Sequence, residues 1–156
     1  MIEKPTPNHS VRVRGSRIRW IVMHADASPN EKATIGWILN PKSQVSYHLY
    51  IRRDGSVIRF VPDNRSAWAC GKPGKSAWGG VNGINSWTLN IAFANRDDGT
   101  ELLTPAQIAS AHVQLREWKM RHADVEGIIT HAMSATPAGR KTDPERAPNF
   151  NLADYL

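Results

Sequence analysis

The chain has 156 residues, a formal net charge of +6 and 40% hydrophobic residues, enough apolar material for one domain with one core. No apolar run of about 18 residues could span a bilayer, the N-terminus lacks an apolar signal-peptide core, and the single cysteine, Cys70, excludes an internal disulfide framework. A soluble monomer made in the cytoplasm is expected, and its positive charge favours a polyanionic partner. The Lys and Arg residues are dispersed, at 12, 14, 17 and 19, at 52, 53 and 59, and at 140, 141 and 146. They form no stripe of the kind that specific nucleic-acid binding needs.

In chain order, residues 1–17 read as an N-terminal extension and 18–156 as the domain proper. The β-branched run "IRWIVMH" (18–24) predicts a buried strand. "KATIGWIL" (32–39) predicts a short helix ended by Asn40-Pro41. "VSYHLYI" and "VIRFV", separated by a turn with Asp54-Gly55, predict a β-hairpin. From Pro62 to Asn85 the Gly, Ser, Trp and Asn content predicts a long surface loop, after which "WTLNIAF" (87–93) returns as a strand. Thr104 as N-cap, Pro105 at the first helical position and Gln107 three residues past the cap begin a helix. Its Ile108, Ala111, Leu115 and Trp118 share one face, so this helix should pack on a sheet. "EGIITH" (126–131) is the last strand. Strands alternating with helices imply an α/β class, a single domain with a central mixed β-sheet flanked by helices.

Two histidines stand at strand ends, His24 and His131, where open α/β sheets bind ligands. Asp143, in the irregular segment "THAMSATPAGRKTDPERAPNF" (130–150), would add a third ligand and leave the fourth position of a zinc ion open to water. Spacing alone leaves another reading open, strand-end histidines that only hydrogen-bond. Loops of that length in compact domains are usually functional or disordered.

The motifs "IVMHADAS", "VSYHLYIRRDGSVIRFVPDNRSAWACG", "INSWTLNIAF" and "THAMSATPAGRKTDPERAPNF" occur in order from about Arg19 to Phe150. Together they resemble the type-2 N-acetylmuramoyl-L-alanine amidases, a family that includes phage endolysins, recycling amidases and peptidoglycan recognition proteins. The resemblance implies a Zn2+ site of His24, His131 and Asp143, a catalytic lysine at Lys141 and a catalytic tyrosine at Tyr47. It implies hydrolysis of the amide between N-acetylmuramic acid and L-alanine, with peptidoglycan or a muropeptide as the partner.

The chain departs from the family pattern at three places. Ala92 stands where many relatives carry the glutamate of "Ser-Ile-Gly-Ile-Glu", and Asn90 replaces the glycine of that motif. Ala69 replaces the histidine of "Trp-His-Ala-Gly". The segment 132–138 differs in content from the common ligand loop. Without a carboxylate at position 92, the burden of transition-state stabilisation is expected to fall on Tyr47 and Lys141. A compact basic chain without a signal peptide or separate wall-binding domain points to a phage or prophage endolysin, with a cytosolic muropeptide-recycling amidase or a non-catalytic peptidoglycan-binding module as alternatives. His48 should point away from Tyr47 as a packed, hydrogen-bonded residue, and Cys70 should be an inert thiol. Trp68, Trp78 and Trp87 could stack on sugars or serve as packing.

Overall fold

The apolar run after Arg19 becomes one strand of a six-stranded mixed sheet. In the computed structural model, which describes residues 1–156, the strands are β1 (Ile2–Glu3), β2 (His9–Val11), β3 (Trp20–Ala25), β4 (Leu49–Ile51), β5 (Val57–Arg59), β6 (Arg65–Ala67), β7 (Ala77–Trp78), β8 (Val81–Asn82), β9 (Thr88–Phe93) and β10 (Gly127–Thr130). The helices are α1 (Glu31–Leu39), α2 (Pro105–Arg121) and the single turn α3 (His131–Ser134). The main sheet has the order β1-β5-β4-β9-β3-β10. Its pairs are parallel except the antiparallel hairpin β4–β5. Gly55 takes φ +82° in that hairpin's turn, a conformation that a residue with a Cβ resists.

Period-two alternation sorts the strands onto two faces. Ile21 and Met23 of β3, Leu89, Ile91 and Phe93 of β9, and Leu49 and Ile51 of β4 meet Ala111, Leu115 and Trp118 of α2 in the larger core. The opposite face carries Val22, Tyr50 and Ala92, and Ile38 of α1 packs there with Tyr50 and Phe60. The same alternation puts His24 and Asn90 on this second face. Helix α2 begins with the predicted capping box, in which the Thr104 hydroxyl accepts from the Gln107 N–H and the Gln107 side chain accepts from the Thr104 N–H.

Three expectations change. Residues 1–17 are part of the fold: β1 extends the main sheet, β2 pairs with β6, and Asn8 is buried with its amide donating to Ile38 O and Asn40 O. The segment's charge and prolines hid this, because its ties are to residues remote in sequence. The predicted loop at 62–85 holds three short strands, β6, β7 and β8. The strand predicted from Val45 is regular only over Leu49–Ile51, because Ser46 bonds instead to Trp68 and Asn8. Tyr47 is thereby turned out of the ladder.

Trp118 is fully buried, and its indole N–H donates to Asp63 Oδ1 at 3.2 Å. Trp118→Ala should lower unfolding free energy by about 3–5 kcal/mol, read as a drop in the urea midpoint. A loss below about 1 kcal/mol would show that the α2 contact is not central to the core.

Candidate active site

His24 is the fifth residue of β3 and fully buried. His131 follows β10, the parallel neighbour of β3, so the register sets the two imidazoles side by side at the same sheet end. Their ring centroids are 4.6 Å apart. His131 is the first residue of the turn α3, whose N-cap Thr130 accepts from the Met133 N–H. The loop that follows returns to the same point, because the Ala132 N–H donates to the Asp143 carbonyl at 3.1 Å. Asp97 fastens the loop from outside, accepting from the Thr142 hydroxyl at 2.8 Å and the Arg146 N–H at 3.1 Å.

One carboxylate oxygen, Asp143 Oδ2, lies 3.1 Å from His131 Nδ1, 3.5 Å from His24 Nδ1 and 3.3 Å from the Ala25 N–H. The donor atoms of the three residues all lie within 4.8 Å of one another. A tetrahedral zinc with bonds of about 2.0–2.2 Å sets its ligand atoms roughly 3.3–3.6 Å apart, and the two separations from Asp143 Oδ2 lie close to that range. The hydrogen-bond inventory agrees: His24 Nε2 contacts Asn90 Oδ1 at 2.9 Å, whereas the buried Nδ1 has no hydrogen-bond partner. His131 turns Nδ1 to Asp143, and its other nitrogen, Nε2, is buried without a partner.

Protonation suits the same chemistry. Burial by itself would push Asp143 up, but the hydrogen bond with His131 and the two imidazoles beside it outweigh that and hold the carboxyl well below its usual range. Burial lowers His131 to about 4, against the opposing pull of Asp143. The site therefore offers a carboxylate and a neutral imidazole at neutral pH, the forms that bind metal.

His131 and Asp143 border a cleft of about 280 Å³ that is also lined by Tyr47, Trp68, Arg140 and Lys141, with His24 fully buried beside it. Tyr47 packs against His24 with ring centroids 5.2 Å apart. Burial, reinforced by the nearby Asp143, raises its phenol above the usual value, so it remains a proton donor. Arg140 is held by Thr136 O and Lys75 O at 3.0 and 2.6 Å. The cleft adjoins a groove of about 490 Å³ that shares Gln44, Trp68 and Gly71 with it and adds Ser10, Asn85 and Lys72.

Thus the residues expected from sequence, His24, Tyr47, His131, Lys141 and Asp143, share one cleft wall or its immediate support. His48 lies elsewhere, buried edge-on to Trp118 and hydrogen-bonded to the backbone of Asn90 and Arg65. Cys70 is fully buried, and burial raises its thiol pKa, so it is no nucleophile. Trp78 and Trp87 pack against the cluster of Trp20, Val22 and Ile129, and only Trp68 of the three faces the cleft. Ala92 is buried against Tyr50 and Phe60 and supplies no carboxylate. Asp26 does line the cleft, but it accepts from the Tyr50 hydroxyl at 2.7 Å and from the Asn95 and Ser28 N–H groups at 3.0 and 3.3 Å. Sequence reasoning gave Asp26 and Arg140 no role, although both lie inside the motifs "IVMHADAS" and "THAMSATPAGRKTDPERAPNF".

A family model described as N-acetylmuramoyl-L-alanine amidase matches residues 14–146. The chain belongs to this family. The amidase is 25% identical over 168 aligned positions to the 1,6-anhydro-N-acetylmuramyl-L-alanine amidase AmpD of Citrobacter freundii, covering 97% of this chain and 86% of that one. It superposes on the crystal structure of a selenomethionine AmpD derivative with TM-score 0.77 and 25% identity, covering 99% of this chain and 91% of that one. The amidase AmiD of E. coli, solved with anhydro-N-acetylmuramic acid-L-Ala-D-γ-Glu-L-Lys, shares the fold with TM-score 0.69 and 23% identity, covering 85% of this chain and 55% of that one. No helix of the amidase is long and apolar enough to cross a membrane.

Proposed function

We propose that this amidase is a zinc enzyme that cleaves the lactyl–L-alanine amide of soluble anhydromuropeptides, with His24, His131 and Asp143 as the metal ligands. The observation that carries the metal assignment is the convergence of three buried donor atoms within 4.8 Å of one another, with His24 Nδ1 unpartnered. The substrate class rests on likeness to the Citrobacter freundii enzyme, whose name specifies a 1,6-anhydro-muramyl substrate. The endolysin setting expected from charge and compactness has no support in the comparisons, which favour the recycling alternative.

When bound, zinc would acidify a water to a pKa of about 7 and polarise the scissile carbonyl. The remaining work falls to this chain. Attack on the carbonyl carbon places negative charge on its oxygen, and the Tyr47 O–H and the Lys141 ammonium, which line the cleft, are the donors aimed at that charge. As the C–N bond breaks, the departing L-alanine nitrogen must take a proton. Lys141 carries a transferable one, whereas the Arg140 guanidinium does not give up its protons. Arg140 instead holds the Lys75 and Thr136 carbonyls and so braces the loop beside Lys141. Trp68, with its indole N–H near Ser10 Oγ at 3.3 Å, offers an aromatic face where the cleft meets the adjoining groove, a surface suited to a sugar ring.

The reading is tested by turnover of a defined 1,6-anhydromuropeptide against release of stem peptides from intact sacculi. Rapid cleavage of the soluble compound with slow attack on sacculi is expected. The reverse order would return the enzyme to the endolysin class.

A further inference from the structure

His24 differs from His131 in one respect: its outer nitrogen has a built partner. Asn90 is fully buried in the middle of β9, and its backbone is clamped on both sides by His48. The Asn90 N–H donates to His48 Nδ1 at 3.0 Å, and the His48 N–H donates to the Asn90 carbonyl at 3.0 Å. The Asn90 side chain therefore leaves the strand in a fixed direction, toward His24. This is the position at which the sequence departs from the glycine of the family motif.

The sense of each hydrogen bond follows from its neighbours. The Thr88 hydroxyl lies 3.2 Å from Ile84 O and 3.4 Å from Asn85 O, both acceptors only, so its proton goes to them. Its lone pairs are left to accept from Asn90 Nδ2 at 3.0 Å. That fixes the amide, with Oδ1 facing His24 Nε2 at 2.9 Å and Cys70 Sγ at 3.2 Å. A carbonyl oxygen cannot donate, so the Cys70 S–H and the His24 Nε2–H must both donate to it. In the neutral ring the proton is then on Nε2, which leaves the Nδ1 lone pair on the side of Asp143.

We propose that Asn90 is a positioning residue for the metal centre: through the Thr88–Asn90–His24 chain it fixes the His24 tautomer, so that Nδ1 is ready to bind metal before any metal arrives. The proposal rests on His24 being a ligand, and its test reads the tautomer without metal, so the two can fail separately. Partners that hold the outer nitrogen of a ligating histidine typically contribute about 10–100-fold in metal affinity.

The test is long-range ¹H–¹⁵N NMR of the histidine rings in metal-free protein at neutral pH, joined to zinc titration against a competing chelator. Wild type should show His24 protonated at Nε2. Asn90→Leu should lose that preference and bind zinc about 10–100-fold more weakly, while Asn90→Asp, which keeps an acceptor oxygen, should restore both. Cys70→Ala should leave the tautomer unchanged, since Cys70 only shares the acceptor. If wild type carries the His24 proton on Nδ1, the proposal is wrong whether or not the variants fold. It is equally overturned if folded Asn90→Leu keeps the Nε2–H form and wild-type zinc affinity. Failure of wild type to bind zinc at all would instead overturn the ligand assignment and leave the tautomer result standing.

Discussion

His131→Ala and Asp143→Ala should each abolish hydrolysis while leaving a folded protein. Zinc chemistry supplies several kcal/mol of transition-state stabilisation, and a thousandfold fall in rate corresponds to about 4 kcal/mol. Loss of one of three ligands should therefore reduce turnover by at least about a thousandfold. The fold should survive because both residues sit at the sheet's end. The cores under α2 and α1 contain neither of them. Asp143→Asn is the sharper control, since it keeps the size and one acceptor while removing the charge that faces both imidazoles. Circular dichroism and zinc content measured beside turnover separate metal loss from unfolding. Near-native activity in either alanine variant at matched zinc loading would refute the ligand set.

Lys141→Ala should cut turnover by about a hundredfold to a thousandfold, the usual effect of deleting one donor to a developing oxyanion. Its zinc content should stay at the wild-type level, because Lys141 lines the cleft without ligating. The effect should be at the upper end here, since position 92 carries no carboxylate and the Asp26 oxygens are already engaged. Tyr47→Phe removes only a hydroxyl. It should lower kcat with little change in KM, as expected for an interaction made chiefly in the transition state. Steady-state kinetics on a defined anhydromuropeptide decide both. If both variants turn over like wild type, the assigned roles pass to other groups along the cleft, Arg140 first among them.

The parts of the fold legible in the sequence were those whose signals are local. The capping box at Thr104 and Gln107, the apolar face ending in Trp118 and the Asp54-Gly55 turn each declare themselves within a few residues. The N-terminal residues failed this way of reading because what anchors them is remote: Asn8 reaches Ile38 O, and β2 pairs with β6 more than fifty residues on. The short strands within 62–85 are two or three residues each, too brief for any periodicity to emerge. At the site, strand ends and motif order were enough to single out His24, His131 and Asp143. They did not disclose how the loop is closed, which depends on the Ala132–Asp143 backbone bond and on Asp97 from another segment. Asn90 was visible as a departure from the motif. Its contact with His24 needed the register of β3 against β9, where His24 stands opposite Ala92 and Val22 opposite Asn90.

His24, His131 and Asp143 are proposed above as the zinc centre of this amidase. Anomalous diffraction recorded on both sides of the zinc absorption edge, from crystals of the purified enzyme, tests it most directly. A single zinc peak is predicted between these residues, bonded to both Nδ1 atoms and the Asp143 carboxylate at about 2.0–2.2 Å. Zinc-supplemented crystals with no peak there, or with the ion held by other residues while activity remains chelator-sensitive, would contradict it.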